Sequence, residues 1–235
     1  MSDHAGIAFF DLDGTLVSSN VVTRYAFFAK NLPSRARAAL KVTKLVASVP
    51  FLIALDFYSR RRFNEVFYRE YRGMRREWLL ELAEDLFHKV VLPSIHPGAK
   101  DLIEADRAAG YRLVLVTGEL DFALGPVLRY FGFDSLVSNR LVYENGIATG
   151  EVVAPLIAEH AKVSAMTDAL VASHFDRFRA KAYSDSFSDV PMLEAVGSPT
   201  AVNPDRRLKR VAVERGWPVL NLRDGGKQKA VGRRR

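Results

Sequence analysis

The chain contains no cysteine among its 235 residues. That excludes a disulfide framework, a thiolate metal site and thiol redox chemistry. Also missing at its start is a basic segment leading into an apolar stretch; Met1-Ser2-Asp3-His4 stands there instead. No secretory signal is therefore expected, and the cytoplasm is the expected compartment. There is no internal repeat or low-complexity tract. The apolar stretch Leu45–Leu55 falls short of the ~20 residues that span a bilayer. It also carries Pro50, which would kink a helix. A buried helix is the expected role of this stretch, and a lipid-facing or acyl-accommodating groove is the alternative.

What the chain does have is a set of acidic and hydroxyl residues at the ends of apolar runs. Asp11-Leu12-Asp13-Gly14-Thr15 directly follows Ile7-Ala8-Phe9-Phe10. Two carboxylates two residues apart point the same way on extended chain, where they repel unless a cation or shared proton relieves them. This suits Mg²⁺-assisted covalent chemistry, with one acid attacking and the other moving protons. Gly14 permits a sharp turn, and Thr15 offers a hydroxyl and an N–H to an anion. Thr117-Gly118 follows a second apolar run, Leu113–Val116, and can donate to phosphate oxygens. Glu119 comes next; an acid so close to bound phosphate should face away. Farther on, Asp185 ends a short run and Asp189 begins a helix, so both carboxylates can reach one cation from adjacent turns.

Strand patterns alternate with helical ones: strands at 7–10, 112–116, 136–138, 199–202 and 218–220, with a helix at 122–131 and another at 205–215. The segment 141–150, with Asn145-Gly146 at its turn, reads as a hairpin. Alternation of this kind implies a mainly parallel, three-layer α/β sheet whose ligands bind beyond the carboxyl ends of the strands. The acidic and hydroxyl motifs all fall at those ends.

Taken in order, these motifs resemble the haloacid dehalogenase-like superfamily, in particular subclass IB, the phosphoserine phosphatase-like branch. The resemblance spans nearly the whole chain, down to Ala201-Val202-Asn203-Pro204-Asp205 and Arg215-Gly216-Trp217-Pro218-Val219-Leu220. It implies a Rossmann-like core formed by residues 1–17 and 97–223. A helical cap, residues 18–96, would be inserted with hinges near Ser18–Ser19 and Pro93–Gly98. From its basic composition alone, 224–235 is expected to be a disordered tail. The resemblance also implies roles: Asp11 as nucleophile, Asp13 as acid and base, and Thr15, Thr117, Gly118 and Lys162 as phosphate-binding groups. Asp11, Asp13 through its carbonyl, and Asp185 would hold Mg²⁺, with Asp189 behind them. Ser188, where many relatives carry Asn, is a departure from the family pattern.

Charge is uneven. Residues 18–96 hold 14 basic and 7 acidic residues, which accounts for the whole formal excess of +7. A basic lid over an acidic site would steer an anionic ester inward, although many of these arginines could equally be solvated helix faces. Arg60-Arg61-Arg62 and Arg75-Arg76 are the candidates for anion contact. Nucleic acid is not expected as a partner, because no recognised binding motif accompanies the charge. The expected activity is hydrolysis of a phosphomonoester, either a phosphorylated small molecule or a lipid phosphate, with peripheral membrane contact through the cap left open. The competing reading is a catalytically weak regulatory module that binds an anionic partner through its basic cap. A phosphomutase or dehalogenase fits less well: a dehalogenase does not require Asp13, and mutases usually carry a different cap.

Overall fold

The computed structural model describes residues 4–225 and 227–229. Chain order begins with β1 (Gly6–Phe10), α1 (Val21–Lys30), α2 (Arg35–Tyr58), α3 (Arg60–Phe67), α4 (Arg76–Glu81), α5 (Ala83–Leu86) and α6 (Ala99–Ala108). Next come β2 (Tyr111–Leu120), α7 (Gly125–Phe131), β3 (Ser135–Asn139), β4 (Leu141–Glu144), β5 (Ile147–Val152) and α8 (His160–Ala172). The remainder is β6 (Ala180–Ser184), α9 (Val190–Glu194), β7 (Ser198–Val202), α10 (Arg206–Arg215), β8 (Val219–Asn221) and β9 (Lys227–Lys229).

β1 is buried along its whole length and pairs in parallel with β2 on one side and β6 on the other. An uninterrupted apolar run is what a strand covered on both faces requires. Its residues alternate between two cores. Ala8 and Phe10 join Leu115 and Ile103 of α6, whereas Ile7 and Phe9 join Met166 of α8, Leu193 of α9 and Leu208 of α10. The sheet runs β3-β2-β1-β6-β7-β8-β9, all pairs parallel except β8–β9. This is the expected three-layer α/β architecture. From β1 the order grows both ways, so the crevice beyond its carboxyl end is a topological switch point.

Helices fill the segment between β1 and β2. Asn20 caps α1 in a reciprocal box with Thr23, and Ser34 and Ser59 cap α2 and α3; each supplies an acceptor for first-turn N–H groups. The two connections to the sheet run side by side: Val17 pairs with Ile95, and the Ser18 N–H donates to the Ser94 carbonyl at 2.8 Å. Residues 76–91 form α4, α5 and a wide turn at Phe87–Val91 rather than one continuous helix. The hairpin β4–β5 turns at Asn145-Gly146, both with positive φ.

Two expectations are corrected. The apolar stretch 45–55 is not a buried helix: it belongs to the 24-residue α2, whose buried residues are Ala38, Leu45 and Leu52. Residues seven apart share one stripe of a helix, so only that stripe reaches the core. Leu40, Val46, Phe51, Ile53, Phe57 and Tyr58 face outward, and α2 as a whole has the length and composition of a membrane-crossing helix. Second, the tail is not wholly unstructured, because 227–229 pair antiparallel with β8. Backbone pairing at an open sheet edge needs no apolar side chains. Residues 230–235 lie outside the described residues.

Candidate active site

The carboxyl ends of β1 and β6 and the first turn of α8 bring three charged groups together. Lys162 Nζ lies 2.7 Å from Asp11 Oδ1 and 2.8 Å from Asp189 Oδ2, and all three side chains are buried. Ser184, the last residue of β6, donates to the same Asp189 oxygen at 2.7 Å. Thr15 Oγ1 sits 3.1 Å from Asp11 Oδ2 and 3.2 Å from Asp185 Oδ1, within donating distance of either. Asp11 and Asp185 are therefore neighbours across one hydroxyl. Gly14 makes this possible. Its φ is +81°, and a methyl there would overlap the Asp185 carboxylate. Asn203 braces the loop by donating to the carbonyls of Gly14 and Thr15, each at 3.2 Å.

Burial, and after it crowded negative charge, sets the electrostatics. Burial pushes the Asp11 carboxyl up to about 6; Lys162 opposes this and Asp189 adds to it. Asp185 is held well above the usual carboxylate range, by burial first and then by Asp11 and Asp189. Lys162 behaves in the opposite sense. Burial disfavours its charge, but Asp11 and Asp189 outweigh that and hold it protonated.

The other predicted phosphate groups lie along the same cleft. It has a volume of about 40 Å³, and its walls include Asp13, Thr117, Gly118, Asn64 and Arg60. Thr117 and Gly118 lie within β2, which runs on to Leu120 with a register shift, rather than at a strand end. Glu119 faces away from the cleft, as an acid beside a phosphate site should. It meets Arg24 of α1 at 2.7 Å, and the second nitrogen of that guanidinium lies 2.6 Å from Asp13 Oδ1. Arg24 and Glu119 are each about 1% exposed, so the pair is sealed from water.

Sequence reasoning missed Arg24, Ser184 and Asn203. Arg24 reads as an ordinary charge on an amphipathic helix, and only Glu119's odd position hinted at a buried partner. Asn203 lay within the quoted tail motif, without a role. Arg60 was singled out for anion contact; its guanidinium pairs with Asp56 at 3.0 Å while its side chain lines the cleft.

A family model described as haloacid dehalogenase-like hydrolase matches residues 8–194. The chain belongs to that family. A probable phosphatase of Mycobacterium tuberculosis is 35% identical over 218 residues, spanning 92% of this chain and 75% of that protein. A phosphoserine phosphatase of the same organism is 28% identical over 237 residues, spanning 98% and 75%. Among solved structures, a protein of unknown function from Bordetella pertussis Tohama I has a TM-score of 0.80 at 26% identity, covering 92% of this chain and 98% of that one. An apo phosphoserine phosphatase shares the fold with a TM-score of 0.66 at 18% identity, covering 87% and 89%.

In this haloacid dehalogenase-like hydrolase the donor set suits a hard divalent cation. Asp11 and Asp185 present carboxylate oxygens side by side, and burial penalises their ionised forms. Among the described residues no three His, Cys, Asp or Glu side chains form a ready cage. The reason is visible in the geometry: Asp13 is turned to Arg24, and Asp189 to Lys162 and Ser184. Two carboxylates, a backbone carbonyl and water would have to suffice, which matches the way Mg²⁺ is usually held.

Two outcomes are expected. A carboxyl whose pKa rises on folding costs stability above that pKa, and the cost disappears as pH falls below the unfolded value. Asp185→Asn should therefore stabilise the metal-free protein at neutral pH, and Mg²⁺ should no longer raise its melting temperature. Thermal denaturation in EDTA and in Mg²⁺ checks both; a Mg²⁺ shift equal to wild type would count against this ligand. Arg24→Met leaves Glu119 buried without its partner and should cost about 3–5 kcal/mol in denaturant unfolding. Adding Glu119→Gln should recover much of that loss, and a cost under about 1 kcal/mol for Arg24→Met would contradict a sealed pair.

Proposed function

We propose that this chain is a Mg²⁺-dependent phosphomonoesterase that works through an aspartyl phosphate on Asp11. The observation that carries this reading is the convergence of Asp11, Lys162, Asp189 and Asp185 on one small cleft. Relatives bearing phosphatase names support it.

In this scheme the phosphoryl group sits against Thr117, the Gly118 N–H and Lys162, which offset the charge on its equatorial oxygens. Asp11 attacks phosphorus through a carboxylate oxygen, with Lys162 beside it to offset the charge. The bond to the ester oxygen breaks, and Asp13 gives its proton to the departing alkoxide. Arg24 fixes Asp13 through Oδ1 and leaves the second oxygen for that transfer. Asp13 then takes a proton from water, which attacks phosphorus and releases inorganic phosphate, regenerating Asp11. Bound Mg²⁺, held by Asp11, Asp185 and the Asp13 carbonyl, would neutralise phosphate charge and orient the ester.

Replacing Asp11 by Asn removes the nucleophile without changing its volume. Turnover of a generic phosphomonoester should fall by roughly a thousandfold or more, with a cooperative unfolding transition retained. Full activity in that variant would rule out the covalent scheme.

A specific observation bears on the leaving group. A second cavity of about 420 Å³ shares Asp13, Val21, Arg60 and Asp185 with the catalytic cleft, and Val49, Leu52 and Phe63 give it an apolar wall, with Ile53 at its outer rim. The small cleft suits a phosphoryl group and the larger cavity the rest of the ester. An apolar alcohol portion, as in a lipid phosphate, fits this wall better than a zwitterionic one. On that reading kcat/KM for lysophosphatidate should exceed that for phosphoserine; an equal or reversed preference in a panel assay would contradict it.

A further inference from the structure

The outer face of α2 has no use in the chemistry above. From Val46 to Tyr58 its outward residues are Val46, Ala47, Pro50, Phe51, Ile53, Ala54, Phe57 and Tyr58, without a charge among them. Val46 is 66% exposed, Phe51 59%, Ile53 65% and Phe57 77%. Isolated exposed apolar residues are ordinary, but a contiguous strip of large ones along one helix marks a surface that meets something apolar.

Charge around the strip identifies the occupant. Arg35 and Arg37 stand in the first turn of α2 and form no ion pair among the described residues. Exposed Arg61 and Arg62 follow its other end, with Arg62 lying over the Tyr58 ring. α10 adds exposed Arg206 and Arg207, and the Arg207 guanidinium lies 5.7 Å from the Phe57 ring centroid. The nearby acids are already engaged: Asp56 by Arg60, Glu65 by Arg61, Asp205 in capping α10, and Glu159 by Ser59. An apolar strip bounded at both ends by arginines is the pattern of a helix that lies in the interface of an anionic bilayer. The stripe at Ala38, Leu45 and Leu52 packs α2 against the protein.

We infer that α2 is a membrane-docking surface that seats this protein on a bilayer containing anionic phospholipid. Its inner side walls the cavity that reaches Asp13 and Asp185, so docking sets the mouth of that cavity toward the headgroup layer. The inference does not depend on the catalytic reading, because its test measures binding.

The full-length protein is sedimented with vesicles of phosphatidylcholine alone and of phosphatidylcholine mixed with phosphatidylglycerol, at low and high salt. Pelleting should require the anionic lipid and weaken with salt. The double variant Val46→Asp with Phe51→Asp should lower vesicle affinity roughly tenfold or more. Its melting temperature and its turnover of a soluble phosphomonoester should stay as in wild type, since neither residue lines the cleft or the cavity. Arg206→Glu with Arg207→Glu should weaken binding to the anionic vesicles in particular. Three results would overturn the inference: no pelleting with anionic vesicles at low salt, pelleting indifferent to the α2 aspartates, or a stable dimer in solution that those aspartates dissociate.

Discussion

One buried ammonium holds the site together. Lys162 joins Asp11 at the end of β1 to Asp189 before α9, and so fastens two segments that are 178 positions apart in sequence. Without it two carboxylates would share a dry cleft, and each would have to take up a proton or turn away. Such a buried triad contributes little net stability, because desolvation offsets most of the attraction. Its effect is positional: it holds one Asp11 oxygen and leaves the other beside Thr15 and Asp185.

A second buried cation ties the inserted helices to the same loop. Arg24 comes from α1 and reaches both Asp13 and Glu119, so the insert touches the acid next to the nucleophile. The connections on either side of the insert run together at Val17 and Ile95. The insert is also bonded to the β4–β5 hairpin, where the Gly73 and Arg76 N–H groups donate to the carbonyls of Ala148 and Gly146. Site chemistry and insert position are linked through one guanidinium.

Much of this was legible in the sequence. The apolar run of β1 followed by paired acids located the cleft, because a strand buried on both faces must end where ligands bind. Asn145-Gly146 marked a hairpin turn, and the order of acids and hydroxyls predicted which residues would meet. Arg24 was not legible, since a helical arginine looks the same in sequence whether it faces water or a buried glutamate. The exposure of α2 was missed for a related reason: an apolar composition shows that a helix seeks an apolar surface, but not that the surface lies outside the protein. Several of the insert's basic residues proved to be paired locally, as in Lys44–Glu70, Arg61–Glu65 and Lys89–Asp85, rather than directed at the site.

The central claim is that Asp11 transiently carries the phosphoryl group. Mixing the protein with Mg²⁺ and a phosphomonoester labelled at phosphorus, quenching in acid during turnover and mapping the labelled peptide tests it most directly. The account predicts alkali-labile label confined to the peptide containing Asp11. Label on another residue, or steady turnover with no label retained on the protein, would contradict it.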